Sequence, residues 1–76
     1  MNSSLEDILA ALGSLPSKSV NGASCVSIAD IARACLASNA RDFRTIEAKL
    51  KSLEIMGEVT LIRQSPSGII VGAILN

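Results

Sequence analysis

The chain has no histidine, no tyrosine and no tryptophan, and Phe43 is its only aromatic residue. Without histidine it has no imidazole base and no imidazole metal ligand. Without an aromatic series it has no platform on which single-stranded bases could stack. Its five glycines are scattered, so there is no glycine-rich loop to cradle a phosphate. Net charge is absent too: seven Lys and Arg balance seven Asp and Glu. The longest apolar run, Ile69 to Leu75, falls far short of the roughly 20 residues of a membrane helix. The acidic pair Glu6-Asp7 precedes the first apolar stretch, which is the wrong polarity for a secretory signal. The expectation is one cytoplasmic domain without cofactor or metal, and not an enzyme. Ser27 and Ser38 have no base to activate them, and the carboxylates serve as caps and helix surface.

What is present is apolar. Of the 76 residues, 49% are hydrophobic and mean hydropathy is +0.45, too high for a disordered segment. A chain of this length forms one domain with a thin core, with apolar surface to spare for a partner. Cys25 and Cys35 sit at opposite ends of the predicted helix 27–36. Ten residues of helix would separate them by roughly 15 Å, beyond the ~7 Å reach of a disulfide. They read as small buried hydrophobes, the alternative being a regulatory thiol at Cys25.

Periodicity predicts three helices. Leu5, Ile8, Leu9 and Leu12 share one face of a helix over about 4–12, capped by Ser3 or Ser4 and ended by Gly13. Residues 13–24 read as a flexible loop with a turn at Asn21-Gly22, followed by one or two residues of strand at Cys25-Val26. Ser27 caps a second helix over about 27–36, with Asp30 at the capping-box position. After a short turn, Phe43, Ile46, Leu50, Leu53 and Met56 mark a third helix over about 40–56. Asn39 is its cap and Gly57 its left-handed stop. Val59–Arg63 and Ile69–Leu75 predict a hairpin over about 58–75, closed by a type I turn at Ser65-Pro66-Ser67-Gly68.

On a wheel of the third helix the apolar residues gather on one side. Arg41, Arg44, Thr45, Ala48 and Ser52 lie opposite, flanked by Lys49 and Lys51. Asp42, Glu47 and Glu54 lie off the centre of that face. Arginine can pair with guanine, threonine with a base or phosphate, and small residues allow close approach to a groove floor. The plainer alternative is a solvated face tied by Arg44–Glu47 and Glu47–Lys51 pairs.

The segment Val26-Ser27-Ile28-Ala29-Asp30-Ile31-Ala32-Arg33 resembles the first helix of a helix-turn-helix. Asp42 to Val59 resembles a recognition helix running into a wing, with the ending Leu53-Glu54-Ile55-Met56-Gly57-Glu58-Val59. Nearly the whole chain is thus similar to the winged helix-turn-helix families. The resemblance implies an α+β, mainly α, fold of three helices and a two-stranded wing in one domain, 1–76. It implies double-stranded DNA as partner, with Arg41, Arg44, Thr45, Ala48, Lys49, Lys51 and Ser52 in the major groove and Arg63 of the wing on phosphate. Arg44 and Thr45 are placed on base edges; Lys18 is a further candidate cation. A small transcriptional regulator or DNA-binding module follows, and a homodimer would double its phosphate contacts.

A pI near 6.1 is low for such a role. The strand Ile69–Leu75 also lacks polar alternation, which implies that both its faces are covered. The alternative function is therefore a protein-interaction module using Ile62, Ile70 and Ile74 on one sheet face. The other reading of that face is cover by the 13–24 loop, through Leu15 and Val20.

Overall fold

The computed structural model describes residues 4–76, so Ser3, the other candidate cap, lies outside the described residues. Among those residues the chain is a small α+β domain of three helices and a four-stranded antiparallel sheet. Helix α1 runs Leu5–Ser14, and the Ser4 hydroxyl accepts from the Asp7 N–H. Gly13 does not end it. The glycine stays helical, and the chain leaves the helix through extended Leu15, whose N–H still reaches the Ala11 carbonyl. Pro16, with no N–H to give, follows the stop.

The predicted loop over 13–24 is mostly a hairpin. Strands β1 (Lys18–Val20) and β2 (Ala23–Ser27) pair around Asn21-Gly22. Both turn residues have positive φ, +50° and +80°, as the tight twist-matched hairpin turn requires. Strand β2 is accordingly five residues long, more than the one or two expected, and ends in the cap of the next helix.

Helix α2 is Ile28–Ala34, shorter than expected. Ser27 accepts from the Asp30 N–H at 3.2 Å. The Asp30 carboxylate faces Lys18 and Arg33, each at 2.8 Å. After Cys35 the chain turns through Leu36 at φ +61°. The Leu36 N–H donates to the Arg33 carbonyl and the Ala37 N–H to the Ala32 carbonyl, a Schellman closure with leucine where glycine is usual. A left-handed leucine costs about 1–2 kcal/mol, and this side chain is exposed.

Helix α3 spans Ala40–Ile55. Asn39 accepts from the Asp42 N–H, and the Asp42 carboxylate accepts from the Ser38 N–H and hydroxyl. At the other end Gly57 has φ +79°, as expected, and the Glu58 N–H reaches the Leu53 carbonyl.

Strands β3 (Val59–Gln64) and β4 (Ile69–Leu75) form the second hairpin. Its turn is wider than a type I turn: the Gly68 N–H donates to the Gln64 carbonyl at 2.7 Å, and the Ser65–Pro66 peptide is cis. The hairpin does not stand alone as a two-stranded wing. β4 also pairs with β2, giving the order β1-β2-β4-β3.

Ile62 stands opposite Gly72 and Arg63 opposite Ile70, so Val71 is an extra, unpaired residue in β4. A bulge of this kind reverses the pleat. Ile70 therefore falls on the same face as Ala73, Leu61 and Val59, and all four belong to the core with Ile8, Ile31, Ile46, Leu50 and Leu53. The expected grouping of Ile70 with Ile62 and Ile74 is overturned. Ile70 is only 2% exposed, whereas Ile62 and Ile74 are half-buried on the opposite face. All three helices pack on the core face. The 13–24 segment is not a loop folded over the second face: Leu15 packs against the core, and Lys18–Val20 and Ala23–Ser27 extend the sheet, with Cys25 lying over Gly72 on that face.

Cys25 and Cys35 are both free and buried. Burial raises both thiol pKa values, and Asp7 raises that of Cys35 further. No helix among the described residues is long and apolar enough to cross a membrane.

Candidate nucleic-acid interface

Helix α3 is fixed to the body by Ile46, Leu50 and Leu53, each fully buried, with Phe43 packed beside them. That seam dictates what points outward. Arg41, Arg44, Ala48, Lys51 and Ser52 are exposed, and Thr45 and Lys49 are half-buried at the margins. Seven of the eight proposed DNA-contacting residues are thus on one helix, most of them on its outer surface.

The ion pairs among the described residues are Lys18–Asp30, Arg33–Asp30 and Arg63–Glu54. Arg41, Arg44, Lys49 and Lys51 have no carboxylate within ion-pair distance, so the expected Arg44–Glu47 and Glu47–Lys51 pairs are not formed. These four cations are free to meet an anionic partner. Two hydroxyls are partly used. Thr45 donates to the Arg41 carbonyl at 3.0 Å and Ser52 to the Ala48 carbonyl at 3.2 Å, leaving only their acceptor lone pairs outward.

Arg63 stands apart from the group. Its guanidinium donates through both terminal nitrogens to Glu54, at 2.8 and 2.9 Å. This fork ties β3 to the last turn of α3 and gives Arg63, alone of the eight expected DNA-contacting residues, a carboxylate partner among the described residues. Hydrogen bonding from Arg63 lowers the Glu54 pKa, and Glu54 raises that of Arg63. Lys18 is likewise engaged. Its hydrogen bond is the main cause of the lowered Asp30 pKa, followed by that of Ser27.

Sequence reasoning missed Ile55. It is 86% exposed, the most exposed large apolar side chain among the described residues. At about 100° per residue it lies opposite Ile46, in line with Ala48 and between Arg44 and Arg41 in angle. The helical wheel contains that signal, but an apolar residue near a helix end reads as core or cap before the seam is known.

No protein-family model, curated protein or solved structure matches this chain.

Proposed function

We propose that this chain binds double-stranded DNA by laying the outer face of α3 in the major groove, as a small transcriptional regulator or DNA-binding module of winged-helix type. The observation that carries the reading is the set of four unpaired cations, Arg41, Arg44, Lys49 and Lys51, around a helix face whose centre holds no carboxylate. Phosphate neutralisation supplies most of the affinity of such a surface, and arginine adds base recognition. The succession β2, α2, turn, α3, β3–β4, with β2 paired to β4, is similar to a winged helix. The hairpin would be the wing and β1 an addition. Because Arg63 is held by Glu54, the wing contributes little charge, and the helix carries the contact. A homodimer would double it.

Fluorescence anisotropy of a labelled random duplex tests this. Four neutralised phosphates predict affinity falling roughly hundredfold between about 50 and 200 mM salt. The Arg41→Glu, Arg44→Glu double variant should keep its far-UV circular dichroism and lose binding. Salt-independent binding, or a folded double variant that binds as well as the parent, would overturn the reading.

A second reading is favoured by a different surface. Ile62 and Ile74 flank Gly72 on the sheet face that no helix covers. That face suits a protein partner or a second copy of the chain, and it leaves α3 out of the contact.

A further inference from the structure

Within about 60° of its outward direction, α3 presents Arg41, Arg44, Thr45, Ala48, Lys51, Ser52 and Ile55. This set has a limited chemical vocabulary. It contains no asparagine or glutamine, the side chains that pair bidentately with adenine. It contains no aspartate or glutamate, which would accept from the cytosine amino group. What remains is arginine, which pairs with guanine O6 and N7, the outward acceptor lone pairs of Thr45 and Ser52, which carry no choice between adenine and cytosine amino groups, and apolar contact, which suits the thymine methyl. Ile55 is an expensive residue to expose to water at 86%, and it follows Arg44, Ala48 and Lys51 along one stripe. Water is a poor environment for it, and a thymine methyl in the groove would remove it from water.

Resting on the DNA-binding reading above, we infer that the preferred duplex is read as guanine by Arg44 and as thymine by Ile55. Arg44 and Ile55 are roughly 16 Å apart along the helix axis, and because residues about three apart on a groove helix meet successive bases, they span about four base-pair steps. Arg41 beside the stripe and Lys51 within it hold phosphates.

The test begins with selection from a random duplex library using the full chain. The expected site holds a guanine and a thymine about four base pairs apart. Replacing that thymine by uracil, which lacks only the methyl group, should weaken binding about fourfold, the size of one buried methylene. An Ile55→Ala variant, folded because the side chain is solvent-exposed, should bind the thymine and uracil duplexes equally. Salt-dependent binding without the guanine–thymine pattern, or an unchanged uracil effect in Ile55→Ala, would overturn the inference and leave the DNA-binding reading standing. No duplex binding at low salt would overturn both.

Discussion

Gly72 is held to its identity by what lies over it. A Cβ built there would come 2.4 Å from the Cys25 Sγ and 3.0 Å from the Val26 carbonyl oxygen. The oxygen belongs to backbone paired with β4, so it cannot swing aside. Gly72→Ala should therefore destabilise the fold by about 2 kcal/mol or more, measured by urea denaturation. Gly13 gives the contrast. It is helical, and its nearest neighbour would be a Leu75 methyl at 4.0 Å. Gly13→Ala should raise stability by about 0.5 kcal/mol. The two glycines look alike in the sequence. Only the β2–β4 pairing, made by residues far apart in the chain, separates them. The same limit applies to Ile55 and Arg63: one needed the packing seam of α3, the other its partner Glu54, before its place could be read.

At the scale of elements, two carboxylates join neighbours. Asp30 connects α2 to β1 through Lys18, and Glu54 connects α3 to β3 through Arg63. Both have pKa values lowered by these bonds. A carboxyl whose folded pKa lies below its unfolded value contributes stability above the unfolded value. That contribution disappears as pH falls through the folded one. The wild type should lose thermal stability below about pH 4, the ordinary carboxylate range. The Asp30→Asn, Glu54→Gln double variant should start less stable at pH 7, and the gap should close on acidification. A constant gap from pH 7 to 2 would show that the pairs contribute nothing. The exposure of Lys18, Arg33 and the Arg63–Glu54 pair keeps the expected effect small, with the larger share falling to Asp30, whose side chain is only 11% exposed.

The elements themselves were unequally legible. Helices α1 and α3 follow from apolar residues at helical spacing, and the caps Ser4, Ser27 and Asn39 and the stop at Gly57 from local chemistry. The β1–β2 hairpin is harder to read because its strands are short and rich in serine. Only Asn21-Gly22 announces it, and β1 is a strand because β2 lies beside it. The bulge at Val71 has no local signature, so nothing in the run Ile69–Leu75 tells which isoleucines turn inward.

For the whole molecule, the bulge divides two isoleucines that sequence places together. Ile70→Asp would put an unpaired charge into the core and should abolish cooperative unfolding by circular dichroism. Ile62→Asp, on the open sheet face, should leave the fold intact. If that face joins two copies, size-exclusion chromatography will show the Ile62→Asp chain smaller than the parent. If the sizes agree, the face does not join copies of this chain. DNA binding through α3 should be unchanged by Ile62→Asp, since the two surfaces lie on opposite sides of the sheet.

The β2–β4 joint consists of two residue pairs, Val26 with Ala73 and Ser27 with Gly72. It is the narrow waist between the two hairpins, and Cys25, 1% exposed, lies directly above it. Each hairpin has its own ladder outside the waist, and Cys25 is placed to report whether the waist parts before the whole fold does. In a Cys35→Ala background, Cys25 should react with a maleimide at a rate set by parting of the waist, faster than global unfolding allows. Gly72→Ala, which wedges the same seam, should quicken that reaction even under conditions where the chain remains folded.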